Sequence, residues 1–170
     1  QTSGVTFNLN SITYANGLLV AGGASVATND NVLTSPDGVN WSQPASIDTL
    51  GGGIGGIAYG NGVWVTAGGG APSGRVCVSS DASTWSSSSI TTFGLTGIAF
   101  GNGIFVIVGE SGQVFTSADG VTWTNYASGY GGTFRGVAFG GGLFAAVGDF
   151  GNIYTSPDGA TWTSQVSPTA

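Results

Sequence analysis

The chain has 170 residues and a formal net charge of −6, with 41% hydrophobic and only 6% charged residues. It contains no Lys, His or Met, and its two cations are Arg75 and Arg135. A balance this poor in cations leaves no electrostatic footprint for nucleic acid or an anionic lipid surface. The lack of His, with a single Cys, excludes Ser-His-Asp and Cys-His catalysis and zinc sites built from those ligands.

In chain order, Thr6-Phe7-Asn8-Leu9 leads into Ile12-Thr13-Tyr14, then Ala15-Asn16-Gly17, then Leu18-Leu19-Val20-Ala21. Asn-Gly between two apolar runs predicts a hairpin. A long polar connection follows, then Val32-Leu33-Thr34 and a turn at Pro36-Asp37-Gly38. The same order returns as Gly56-Ile57-Ala58-Tyr59, Gly60-Asn61-Gly62 and Val63-Trp64-Val65-Thr66, followed by Val76-Cys77-Val78. It returns again as Gly97-Ile98-Ala99-Phe100, Gly101-Asn102-Gly103, Ile104 to Val108 and Val114-Phe115-Thr116. The last copy reads Gly136-Val137-Ala138-Phe139, Gly140-Gly141-Gly142, Leu143 to Val147 and Ile153-Tyr154-Thr155. No segment has a helical period with caps.

Each copy ends in one stretch: Thr34 to Trp41, Val78 to Trp85, Thr116 to Trp123 and Thr155 to Trp162. Its Asp residues, Asp37, Asp81, Asp119 and Asp158, stand 44, 38 and 39 residues apart. A period near 40 residues with four short strands per repeat predicts an all-β, four-bladed β-propeller of antiparallel blades. The 33 glycines follow no collagen period and fit a turn-rich β fold. One domain is expected over residues 1–170, with repeats at about 5–46, 54–90, 93–128 and 134–166. An open, solenoid-like stack is the alternative architecture.

Within the stretch, Asp is expected to hold backbone N–H groups two residues on, and Gly to supply the positive φ. Trp41, Trp85, Trp123 and Trp162 are expected to begin the next strand and plug the gap between sheets. Ala82 and Ser83 replace the Gly turn in the second copy, so a different or looser turn is expected there. Tyr14, Tyr59, Phe100 and Phe139 are expected to fill the core between blades. Ala58, Ala99 and Ala138 suit strands that crowd a central axis, with Thr13 as the exception. Both ends of the chain fall at nearly the same phase of the repeat, so no blade is built from the two termini. Ring closure would then rest on blade-on-blade packing or on the terminal arms.

Ser35, Ser117 and Ser156 begin Ser-x-Asp-Gly-x-x-Trp. This resembles the Asp-box, or BNR-type, repeat of sialidase-like β-propellers, usually Ser-x-Asp-x-Gly-x-Thr-Trp, with one residue fewer between Asp and Gly. The resemblance spans all four repeats. It implies that the four Asp residues are structural turn-fixers lying away from any catalytic centre. A sialidase-like mechanism needs several Arg residues, and this chain has two.

Chemistry is therefore expected to be absent, with no catalytic residue and no metal site assigned. Glu110 and Asp149 occupy equivalent turns in repeats three and four, and Asp30 is placed near the same rim. Together with Tyr130 they form the candidate ligand or metal rim, with weak Ca²⁺ binding as its cofactor and a carboxylate pair for glycoside hydrolysis as a remote option. Trp64, Tyr126 and Phe150 are expected to fill blade interfaces, with stacking on sugars as the alternative. Cys77 is expected to be a buried apolar side chain. Asn40-Trp41-Ser42 is a glycosylation sequon.

No 18-residue apolar run predicts a membrane span. A chain starting at Gln1 is expected to be a mature protein freed of a signal peptide, secreted or on the cell surface. The functional expectation is a non-catalytic structural or interaction protein that associates with copies of itself, with filaments as one outcome. Its sheet edges lack the Lys residues that usually guard them, and both terminal arms are strand-competent. A carbohydrate-binding module is the alternative. An enzyme, or an assembly chaperone resembling the Asp-box propellers that help build photosystems, is the third.

Overall fold

The computed structural model describes residues 5–24, 32–43, 53–70 and 72–166. They form four antiparallel sheets, each from one repeat, in chain order. Blade 1 contains β1 (Asn8–Ala15), β2 (Leu18–Ala24) and β3 (Val32–Ser35), with a single bridge from Thr34 to Ser42 where an outermost strand would pair. Blade 2 contains β4 (Ile54–Gly60), β5 (Val63–Gly68), β6 (Gly74–Ser79) and β7 (Ser86–Thr91). Blade 3 contains β8 (Leu95–Gly101), β9 (Ile104–Gly109), β10 (Gln113–Ser117) and β11 (Thr124–Ala127). Blade 4 contains β12 (Phe134–Gly140), β13 (Leu143–Gly148), β14 (Ile153–Ser156) and β15 (Thr163–Gln165). The only helical elements among the described residues are single 3-10 turns at Glu110–Gly112 and Asp149–Gly151.

The hairpin dipeptides set the register. Asn16-Gly17, Asn61-Gly62, Asn102-Gly103 and Gly141-Gly142 all have positive φ at both positions, the geometry of a two-residue turn whose twist matches its strands. Each first strand also carries a register shift at one place, next to Asn10, Gly55, Thr96 and Arg135. A bulge of this kind re-aims the extra residue's side chain.

The box turns form as expected. Asp Oδ1 accepts from the second and third backbone N–H groups after it, at 2.7–2.8 Å in Asp37 and Asp119 and at 2.8 Å in Asp81. The Ser two residues earlier donates its hydroxyl to the same oxygen. These donors stabilise the ionised form, which holds the Asp119 and Asp158 carboxyls down at about 2 and those of Asp37 and Asp81 lower still.

Two expectations about the box need correction. Trp85, Trp123 and Trp162 stand just before the outermost strands, not within them. Trp41, Trp123 and Trp162 lean back on the turn, donating Nε1 to the carbonyls of Gly38, Gly120 and Gly159 at 3.2, 3.0 and 2.9 Å. The second turn is not of another type: Ala82 adopts φ +58°, close to +74° at Gly38. Its methyl is buried, which offsets the strain of a left-handed alanine. Trp85 departs from the other three, since its Nε1 is buried without a partner.

Three buried clusters hold the blades together, and each lies in the seam between consecutive blades. Val20 and Val32 of blade 1 meet Ile54, Ile57, Trp64 and Cys77 of blade 2. Val65, Ala67 and Val76 meet Leu95, Ile98 and Phe105 of blade 3. Val106, Val108 and Val114 meet Phe134, Phe144 and Ala146 of blade 4. Every blade thus has a forward face, turned to its successor, and a rear face, turned to its predecessor. The four first strands share a central cavity of about 310 Å³ lined by Ser11, Thr13, Gly56, Gly97 and Gly136 among others.

Among the described residues no cluster joins blade 4 to blade 1. The aromatic of the first strand packs on a second-strand ring in three blades: Tyr59–Trp64, Phe100–Phe105 and Phe139–Phe144 lie 4.7–4.9 Å apart between centroids. Tyr14 does not follow them and is 67% exposed. Ala58 and Ala99 are buried as expected, but Ala138 is exposed.

Candidate interaction site

The unpartnered faces at the two ends of the blade series are the largest departure from the repeat. On the forward face of blade 4, Leu143 and Val147 are 43% and 48% exposed. The equivalents of Val147, Ala67 and Val108, are fully buried, while those of Leu143, Val63 and Ile104, are half-buried. Ala145 is likewise exposed, where Val65 and Val106 are fully buried. On the rear face of blade 1, Leu9, Ile12 and Tyr14 are exposed, while Ile54, Ile57, Leu95 and Ile98 at the same positions are buried. Ala21 and Leu33, farther out on that face, remain buried. Between the two parts lies an apolar groove of about 300 Å³ lined by Leu9, Ile12, Ala21 and Trp41 among others.

The inner seams show what such faces receive. The ring of Phe100 lies directly over Gly60, and that of Phe139 over Gly101, so closely that a Cβ would fall 2.2 and 2.1 Å from ring carbons. In these two seams a glycine in one blade is thus the socket for an aromatic in the next, and the first seam has Ala15 at that position. Gly140 is the same socket with nothing within 4 Å, and Tyr14 is the same ring with no socket. The box turn docks similarly. A Cβ on Gly120 would lie 2.7 Å from Val65 Cγ2, and one on Gly159 would lie 2.7 Å from Val106 Cγ2. Gly38, in the first box, meets only Leu19 of its own blade.

Polar contacts repeat across the seams as well. The bulge residues Asn10 and Thr96 donate to the backbone oxygens of Ile54 and Phe134, at 3.5 and 2.7 Å. Asn61 Nδ2 donates to the carbonyls of Gly103 and Ala118, both at 2.8 Å, and Asn102 Nδ2 to Pro157 O at 3.4 Å. Blade 4 replaces both devices. Its hairpin has Gly141 in place of Asn, and its bulge residue is Arg135, which pairs with Asp149 through Nε–Oδ1 at 2.6 Å. The pair holds the guanidinium pKa above and the Asp149 carboxyl below their ordinary values. Arg135 is 63% exposed and Asp149 30%, so solvent screens the pair and it stabilises little.

The proposed rim is distributed differently. Glu110 accepts from the Gly94 backbone N–H at 2.9 Å, serving as a local brace. Asp149 is occupied by Arg135. Tyr130 stacks on Phe134 and Tyr154 and donates its hydroxyl to Asp149 O at 3.0 Å, so it belongs to the packing of blade 4 rather than to an open rim. Asp30 lies outside the described residues. Among the described residues no three His, Cys, Asp or Glu side chains gather as a cation would require. Trp64 is buried rather than available to a sugar, and Phe150, on a 3-10 turn at φ +60°, is 99% exposed. Among the described residues the exposed end faces are the candidate site, and the sequence reading did not single them out. The Asn-to-Gly change at position 141 and the charged bulge at 135 were their visible signals.

No protein-family model and no curated protein matches the chain. Solved structures do. YCF48 from Cyanidioschyzon merolae matches with a TM-score of 0.65 at 15% identity, over 96% of this chain and 58% of that one. A structure of YCF48 bound to D1 peptide matches at 0.60 and 19% identity, over 92% of this chain and 52% of that one. The computationally designed Ika4 protein matches at 0.63 and 11% identity, over 92% of this chain and 94% of that one. These likenesses show a β-propeller fold. The chain spans about half the length of the YCF48 chains it matches. No helix among the described residues is long and apolar enough to cross a membrane.

Proposed function

We propose that this chain is a non-catalytic structural subunit, working outside the cell, that associates with copies of itself. One observation carries the reading: an apolar face at each end of the blade series is bare where every equivalent face inside the molecule is packed. Isolated exposed apolar side chains are ordinary, but a contiguous sheet face of them marks an interaction surface. The near absence of charge works in the same direction, since little like-charge repulsion opposes association. A surface of Ser, Thr, Asn and Gly suits an extracellular setting. Sedimentation velocity from micromolar to millimolar concentration tests the reading. The expected result is a weight-average mass that rises with concentration; one chain per particle throughout overturns it.

A second reading, a carbohydrate-binding rim, is favoured by Phe150 alone, whose ring is presented entirely to solvent. Competable binding on a glycan array that is lost in Phe150→Ala is its test.

A further inference from the structure

We infer that two copies of the chain close head to tail into one ring of eight blades, the forward face of blade 4 in each copy packing on the rear face of blade 1 in the other. This rests on the self-association just proposed and names its partner, surface and stoichiometry. The seam would be a fourth instance of the three already in the molecule. Tyr14 of one copy takes the place over Gly140 of the other that Phe100 and Phe139 take over Gly60 and Gly101. Val147 enters the groove beside Leu9 and Ile12. That is the contact Val108, the residue equivalent to Val147, makes in the cluster with Phe134, the residue equivalent to Leu9. The Gly38 box turn settles on Ala145, as Gly120 settles on Val65 and Gly159 on Val106.

The pairing is heterologous, because the two end faces are different surfaces. A heterologous contact makes a ring when its rotation closes and a filament when it does not. Each inner seam already turns the chain about the central cavity, and eight blades fall within the range that propellers use.

The test uses the whole chain and two single variants, Val147→Asp on the forward face and Ile12→Asp on the rear face. Both side chains are exposed in one chain, so each variant should keep the wild-type circular dichroism and melting temperature of the monomer. Native mass spectrometry and light scattering should find two wild-type chains per particle and no larger species. Each variant alone should associate roughly 100-fold more weakly, because every seam then buries an unpaired carboxylate. Mixed together, the variants should form a one-to-one pair, since one of its two seams is intact. Tyr14→Ser is a milder rear-face variant with the same expected pattern as Ile12→Asp. Gly141→Asn restores the amide that bridges inner seams and should tighten the pair roughly five-fold. Growth beyond two chains overturns the ring while leaving self-association standing. Pairing of either Asp variant with itself, or no pairing in the mixture, overturns the assignment of faces. A wild-type chain that stays single overturns both readings.

Discussion

Blades 3 and 4 are built from nearly the same sequence pattern and have opposite fates. In blade 3 the second strand runs Ile104 to Gly109 and is buried at every position after its first. In blade 4 the second strand runs Leu143 to Gly148 and alternates between exposed and covered. The alternation is not written in the residues, which are apolar on both faces. It arises because blade 3 has a neighbour on each side and blade 4 on one. Burial in a repeat protein is therefore a property of the seam rather than of the repeat. A face with no seam keeps the composition of a core.

The sharpest way to break that comparison is to place a charge on each forward face. Val106→Asp buries an unpaired carboxylate in the seam between blades 3 and 4 and should cost more than about 4 kcal/mol, enough to unfold the chain. Ala145→Asp at the equivalent exposed position should change the stability of a single chain by less than about 0.5 kcal/mol. Chemical denaturation at concentrations where the chain is single compares them; equal losses would mean that the blade-4 face is covered. A smaller contrast uses the sockets. Gly101→Ala drives a methyl into the Phe139 ring and should cost about 2 kcal/mol, whereas Gly140→Ala meets open space and should be nearly neutral in the single chain.

Smaller still, and of opposite sign, is Thr66→Val. Its hydroxyl is buried without a hydrogen-bond partner, and the equivalent residues Ala21, Ile107 and Ala146 are apolar. Removing the orphan should add about 1 kcal/mol, read as a higher denaturation midpoint with an unchanged slope. The smallest effect is acid sensitivity. The box carboxyls titrate lower in the folded chain than their ordinary 3.8, at about 2 for Asp119 and Asp158. The unfolded chain therefore takes up protons first. The stabilisation is complete above about pH 4 and is lost as pH falls through about 2. Asp158→Asn should flatten that acid limb of the melting curve. Asp37→Asn should loosen only a turn with no preceding blade to hold, and so cost less than Asp158→Asn.

Much of the fold was legible before any coordinates. The Asn-Gly dipeptides and the Asp-Gly boxes are local chemistry, and local chemistry is readable from local sequence. Ala82 shows where this stops: its left-handed φ is imposed by a turn that the other three boxes share, against the residue's own preference. Tyr14 and Trp64 show a second limit. Both are strand aromatics in apolar runs, yet one is 67% exposed and the other 2%, because one belongs to the first rear face and the other to an inner seam. A period counts blades, but the curvature that decides whether the last meets the first depends on the angle each seam adopts. That angle is a sum over many side-chain contacts, and no short motif encodes it.

The chain's single thiol lies in the first of these seams. Cys77 is fully buried in the cluster with Val20, Val32, Ile54 and Trp64, so reagent reaches its sulfur only when blades 1 and 2 part. The protein thus carries a one-site chemical clock for the opening of one seam. The ratio of labelling rates in the native and denatured chain converts directly into an opening free energy, with no second cysteine to confuse it. Blade 1 in a single chain is held from one side, and a partner on its rear face would hold it from the other. Slower labelling as concentration rises would report that capture from inside the molecule, at a position the partner never touches.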